Sequence, residues 1–433
     1  MSEALIGLAG LAAVLLLFFT GIEIGFAMAI VGFVGFGLVI SFPAAYSMVA
    51  TNIMDVFANY GFTVIPLFVL MGQVAFNAGI AKRMYNFAYR FLGHVPGGMA
   101  IATVVGATGF KAICGSSPAT AATFASVAVP EMDRFNYDKK LSTGVVATVG
   151  TLGILIPPSV TLIVFGITTS QSIGKLFLAG MIPGLLIACL FILVIYGWCR
   201  INPAIGPKGE RSTWRERLAS IPEVLVILVI FVAMIWGLMA GKFTPIEAGS
   251  VGTAAVIAVA IAQRGLTLKG FIKSIGETLR TACMVVMLIA GSTILGRFLA
   301  VTKLPMIAAD WISTLPVHPT LIMILIAAIY LIGGSFIDDL AFMILATPIF
   351  YPVILKLGFD PIWFGIMIMV TVMIGVIVPP VAINVFVVKN ITGVPFPTIY
   401  KGVYPFLISL FAGAVLLFLF PALATWLPKV LMP

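Results

Sequence analysis

Apolar residues run through this chain in long stretches separated by short polar or basic joints, from residue 3 to residue 426. The stretches lack the period-two alternation of barrel strands, so their length predicts bilayer-crossing helices. Candidate spans cover 3–20, 24–42, 60–80, 140–170, 174–198, 221–241, 247–263, 276–300, 362–392 and 402–426. Two further segments, 99–130 and 319–352, do not fit that series. The first has arms of 16 and 12 residues around Gly115-Ser116-Ser117-Pro118. At about 1.5 Å per residue the second arm reaches about 18 Å, short of a core of about 30 Å. The segment is therefore expected to enter and leave on one face, as a re-entrant hairpin. Its partner is built alike, with Gly334-Ser335-Phe336-Ile337-Asp338-Asp339 at the tip.

One motif occurs twice. Gly153-Ile154-Leu155-Ile156-Pro157-Pro158 returns as Gly375-Val376-Ile377-Val378-Pro379-Pro380, 222 residues later. The same offset carries Gly180 and Pro183 to Gly402 and Pro405, and an offset of 219 carries Gly115-Ser116 to Gly334-Ser335 and Gly72 to Gly291. A Pro-Pro pair breaks a helix, because two donors are lost and a ring clashes with the preceding turn. In lipid a freed carbonyl is costly unless protein, water or an ion satisfies it. A lone pair reads as a kink. Duplication, with a polar Gly-Ser element upstream each time, points instead to a transporter's midplane binding site.

Composition narrows the class. The chain has 433 residues, 61% hydrophobic and 9% charged, which fits a polytopic helical membrane protein and no soluble fold. Residues 1–20 lack the basic n-region of a signal peptide. Cys114, Cys189, Cys199 and Cys283 show neither metal spacing nor a disulfide framework. With only His94 and His318, most hydrolytic designs are excluded. The net charge of +9 sits in short loops, where it reports topology rather than nucleic acid.

By the positive-inside rule the loops holding Lys82, Arg83 and Arg90, then Arg134, Lys139 and Lys140, then Arg200 to Arg217, then Arg264 to Lys273 are cytoplasmic. Counting crossings puts both termini outside and gives the halves opposite topology. The expectation is an all-α inverted repeat, 1–200 and 221–433, joined by a cytoplasmic linker at 201–220. Segments 82–94 and 266–275 read either as amphipathic helices on the inner surface or as connectors.

Each tip should start a short helix whose free N–H groups favour an anion, while unwound carbonyls favour a cation. The first tip offers Ser116, Ser117 and Thr120 beside Gly115. The second offers Ser335, Asp338 and Asp339. A carboxylate at membrane depth is functional by default, but Asp is also an ordinary helix cap. Carbonyls of Gly153, Ile156, Gly375 and Val378 are expected to lack helical donors, and Na⁺ is the hard cation they suit. Thr161 and Asn384, one turn past the breaks, are substrate-contact candidates, Thr161 equally a core hydrogen bond. Lys111 reads as an anion contact or a snorkelling cation. Glu23 and Glu247, near span starts, read as helix caps.

Cys114-Gly115-Ser116-Ser117-Pro118-Ala119-Thr120-Ala121-Ala122-Thr123, then Gly150-Thr151-Leu152-Gly153-Ile154-Leu155-Ile156-Pro157-Pro158-Ser159, resemble the large membrane subunit of tripartite ATP-independent periplasmic (TRAP) transporters. Gln171-Ser172-Ile173-Gly174-Lys175-Leu176-Phe177-Leu178-Ala179-Gly180, the stretch Gly241 to Gly249 and the hairpin with Asp338 extend the resemblance over essentially the whole chain. It implies a bacterial inner-membrane, Na⁺-coupled, elevator-type importer needing no other cofactor. The implied partners are a small four-helix membrane subunit and a periplasmic solute-binding protein that delivers an organic acid. The chain begins almost directly with its first span, so the small subunit is expected as a separate polypeptide. By position the resemblance implies one Na⁺ site at Lys111, Cys114, Gly153, Ile156 and Pro158, mostly through backbone. It implies another at Gly334, Gly375, Val378 and Val381. Some members carry serine where Lys111 and Cys114 stand and threonine where Val378 stands, which leaves carbonyl ligation alone at those positions. The rival readings are a freestanding Na⁺/dicarboxylate symporter, an intramembrane enzyme using Asp338 and Asp339, and a channel. Two single tips make no pore-lining ring, and duplicated breaks have no role in an acid/base pair.

Overall fold

The computed structural model describes residues 3–314 and 316–432, and among these every regular element is helical. The first half runs α1 (Glu3–Phe19), α2 (Ile24–Val39), α3 (Phe42–Phe57), a 3-10 turn (Tyr60–Thr63), α4 (Val64–Asn77) and α5 (Ile80–Leu92). The first hairpin follows as α6 (Gly98–Lys111) and α7 (Ser117–Arg134), then the first broken helix as α8 (Lys139–Thr151), a 3-10 turn (Leu152–Ile154) and α9 (Val160–Thr168), then α10 (Ile173–Ile201). The second half begins with α11 (Trp214–Met239), α12 (Pro245–Ala262), α13 (Leu268–Val301) and α14 (Leu304–Thr314). The second hairpin is α15 (Pro319–Phe336) and α16 (Asp339–Lys356), and the second broken helix is α17 (Pro361–Gly375) and α18 (Ile383–Thr392). Two last helices, α19 (Phe396–Leu419) and α20 (Ala422–Leu431), complete the chain.

The two halves interlock. Helix α2 packs on α13 while α12 packs on α4; α8 packs on α19 while α10 packs on α17. The short helices beyond the breaks do the same, α18 against α7 and α9 against α16. Where α8 crosses α19, Gly144 and Gly402 let the backbones touch, since a methyl at either would strike the other's main chain. Eight helices among the described residues are long and apolar enough to cross a bilayer.

Several boundaries differ from the sequence reading. The first hairpin's arms have 14 and 18 residues, because α7 carries Pro130 inside it and continues to Arg134. The shorter arm is thus the first, about 21 Å long, and the hairpin covers 98–134 rather than 99–130. Both arms of the second have 18 residues, so it covers 319–356 rather than 319–352. Segment 266–275 is no separate surface helix. Its residues from Leu268 on are the start of α13, whose 34 residues run unbroken through the expected span 276–300. A lone Gly276 at the junction costs only about 1 kcal/mol and does not stop a helix. Helix α3 lay outside the expected spans because Ser47, Thr51, Asn52 and Asp55 dilute its apolar face. The span 402–426 is divided at Phe420-Pro421.

The linker is shorter than 201–220 and is strapped down. Helix α11 starts at Trp214 with a reciprocal cap between Thr213 and Glu216. Residues 202–213 lie over the base of the first hairpin: Gly97 N donates to Gly206 O (3.0 Å) and Asp138 N to Ile205 O (3.0 Å). Tyr137 donates its hydroxyl to Pro207 O (2.8 Å) and accepts from Met99 N (3.2 Å). Burial pushes that phenol up to about 12, so it stays a neutral donor. Segment 82–94 does form one amphipathic helix, α5, whose Ile80, Ala81, Met84, Tyr85 and Ala88 face inward. Its end is tied to the start of α11, where Arg217 Nε donates to Arg90 O (3.1 Å) and Arg90 to Glu216 O (3.0 Å).

Candidate functional site

Each hairpin tip meets the Pro-Pro break of its own half. At the first, Gly115 lies under the Pro158 carbonyl, where a Cβ would collide. At the second, Val381 N donates to Ser335 O (3.1 Å), and the site a Cβ would take on Gly334 is 3.7 Å from Gly375 Cα. Both Pro-Pro peptide bonds are cis. The first break is closed by Ser159, whose hydroxyl donates to Ile154 O (2.7 Å) and accepts from Leu162 N (3.3 Å), capping α9. The second has no such cap: the residue before α18, Ala382, lies in the left-handed region at φ 50°.

Beyond the breaks the halves cross over. Asn384 on α18 reaches the first hairpin and α8, donating to Ser117 Oγ (3.0 Å) and Ala147 O (3.1 Å) and accepting from Ser117 Oγ (3.2 Å). Thr161 on α9 reaches the second hairpin, donating to Asp339 Oδ2 (3.3 Å). Ser117 and Asp339 are each the first residue of their hairpin's second arm. The two contacts are therefore equivalent: a polar residue past one half's break holds the other half's tip.

The expected substrate residues divide on this geometry. Ser117, Thr161 and Asn384 are buried and engaged with protein partners. Thr120 donates to Ser116 O (3.0 Å), and the Ser116 hydroxyl caps α7 by accepting from Ala119 N (3.4 Å). Ser335 donates to Ile332 O (2.7 Å). Asp338 sits at the N-cap position of α16 without a capping bond and lines a cavity of about 430 Å³ with Glu23, Gly21, Gly25 and Met284. The first tip adjoins a cavity of only about 30 Å³, against α4 and α13. Glu247 closes a reciprocal cap with Thr244, as expected, whereas Glu23 makes no capping bond. Asp339 was missed as a bridging residue. The cue available was its register, 222 residues after Ser117.

Residues 11–423 match the family described as tripartite ATP-independent periplasmic transporter, DctM component. The chain belongs to this family. This DctM-family permease is 34% identical over 388 residues to the C4-dicarboxylate TRAP transporter large permease protein DctM of Pseudomonas aeruginosa, covering 89% of this chain and 90% of that one. It is 32% identical over 415 residues to the sialic acid TRAP transporter large permease protein SiaM of Vibrio cholerae, covering 95% and 96%. The isethionate TRAP transporter permease protein DctMQ of Oleidesulfovibrio alaskensis is 33% identical, with 82% of this chain matched to 55% of that longer protein. Among solved structures the fold is shared with the Alcanivorax borkumensis YdaH transporter, at a TM-score of 0.57 and 13% identity over 88% of this chain and 89% of that one. Neisseria gonorrhoeae MtrF shares it at 0.54 and 13%, over 87% and 84%.

The permease's two expected Na⁺ sites differ in how well they fit an ion. Gly334, Gly375, Val378 and Val381 come together as neutral backbone, with Val378 N donating to Ile374 O and Gly375 O (3.2 Å each). The Gly375 carbonyl thus has a donor, contrary to the sequence reading, though a carbonyl keeps a second lone pair. These residues suit a hard monovalent cation. Around the first break Lys111, Cys114, Gly153 and Pro158 also converge, while the side chain of Ile156, expected to contribute only its carbonyl, packs on Gly184 of α10. The Lys111 side chain is a cation and no metal ligand. Its Nζ, fully buried, donates to Ser116 O (2.8 Å) and lies against Gly153.

Proposed function

We propose that this permease is the large subunit of a Na⁺-coupled secondary importer of organic acids, fed by a periplasmic solute-binding protein and completed by a small four-helix membrane subunit. Its place is the bacterial inner membrane, with both termini periplasmic. The observation that carries the proposal is the pair of crossed contacts, Asn384 to Ser117 and Thr161 to Asp339. They tie the two tips to the two breaks, which supports reading these four pieces as one transport domain of an elevator-type inverted repeat. The relatives named for C4-dicarboxylate, sialic acid and isethionate transport support an acid as cargo. A sodium ion held at Gly334, Gly375, Val378 and Val381 would place positive charge beside the second tip. Coupling requires that ion and acid bind the two states unequally, since only differential affinity shifts an equilibrium.

The test is uptake of labelled dicarboxylates, sugar acids and sialic acids into proteoliposomes holding this chain and its small subunit. Uptake should need both an inward Na⁺ gradient and the binding protein. Uptake by this chain without partners would establish the freestanding symporter instead.

A further inference from the structure

The space between the first tip and the first break is already filled. Lys111 Nζ donates to Ser116 O (2.8 Å), and a methyl on Gly153 would strike Nζ, with Cε at 2.8 Å and Cδ at 3.1 Å. The Ser116 carbonyl also accepts from Thr120 Oγ1 (3.0 Å) and Thr120 N (3.3 Å), so no lone pair is left for an ion. A second cation in contact with the ammonium would be repelled in this low-dielectric setting.

The second half shows the contrast. At the offset of 219 the position of Lys111 is taken by Tyr330, whose hydroxyl bonds Thr347 Oγ1 (3.2 Å) within its own hairpin. Gly334 and Gly375 approach one another with no charged group between them.

We propose that Lys111 is a tethered cation standing in for one coupling ion, so that the first half takes no Na⁺ and each chain binds a single Na⁺, in the second half. This rests on the Na⁺-coupled reading above. A fixed ammonium satisfies the tip carbonyl and holds hairpin to break as an ion would, but the chain cannot release it down a gradient. The cost to the permease is one ion fewer driving each cycle.

The test is equilibrium binding of ²²Na⁺ to the purified chain with its small subunit, for wild type, Lys111→Ser and Lys111→Met. Serine opens the space and keeps an oxygen, so K111S should bind one more Na⁺ per chain than wild type. Methionine keeps the volume without a donor, so K111M should match wild type. Equal, non-zero counts in wild type and K111S overturn the tethered cation and leave Na⁺ coupling standing. No bound ²²Na⁺ in any form overturns the Na⁺ reading and this inference together. Should K111S fail to stay monodisperse, the wild-type count decides: one Na⁺ supports the proposal and two overturn it.

Discussion

Asn384 is the most connected polar side chain of the candidate site, yet it is 1% exposed and makes all its contacts within the protein. Its role is therefore to join the halves, whereas Asp338 still faces a cavity. Replacing Asn384 by alanine takes away the partner of the buried Ser117 Oγ, and an unmet buried group costs about 1–3 kcal/mol. Asn384→Ala should lower the apparent melting temperature of the purified chain by several degrees. Ser117→Ala removes one partner of the same network, so the double variant should lose clearly less than the sum of the singles. Additive losses would show that the two side chains are not coupled, and the crossed contact would carry no weight.

The tips and breaks behave as elements because glycine lets main chains meet. Gly115 sits where any Cβ would run into the Pro158 carbonyl, and Gly197, on α10, has open space around it. Gly115→Val should cut uptake by at least about tenfold, a change of about 1.4 kcal/mol in the limiting step, with membrane abundance unchanged. Gly197→Ala should leave uptake near wild type. Normal uptake by Gly115→Val would remove the first tip from the mechanism. The Pro-Pro breaks, the Gly-Ser tips and their pairing across the chain were legible because each violates helix chemistry at a fixed offset. Helix ends were less legible where a proline sits inside a helix, as at Pro130, or where polar residues thin an apolar face, as in α3. The occupant of the first tip was not legible at all. Lys111 read as a snorkelling or anion-facing cation, because sequence gives the charge of a side chain but not the direction it turns inside a bundle.

At the scale of the whole molecule the two tips are unequally open. The second adjoins a cavity of about 430 Å³ whose wall includes Gly21 to Gly25, between α1 and α2. With both termini outside, as proposed, that loop lies on the cytoplasmic face, so the second tip is approached from within. The first tip has room for little more than a water, about 30 Å³, and its break is buried from Gly153 to Ser159. Val381, beside the second break, is 42% exposed. On the proposed topology this arrangement would be the inward-facing end of the proposed elevator stroke. In a background free of the four native cysteines, Val381→Cys should react with a membrane-impermeant maleimide in inside-out vesicles and resist it in right-side-out vesicles. Ala119→Cys, on the closed first tip, should resist from both sides without substrate or Na⁺. Equal labelling of Val381→Cys from the outer face would reverse the topology or the state, and the signs of Lys and Arg in the loops would then have to be read again from the beginning.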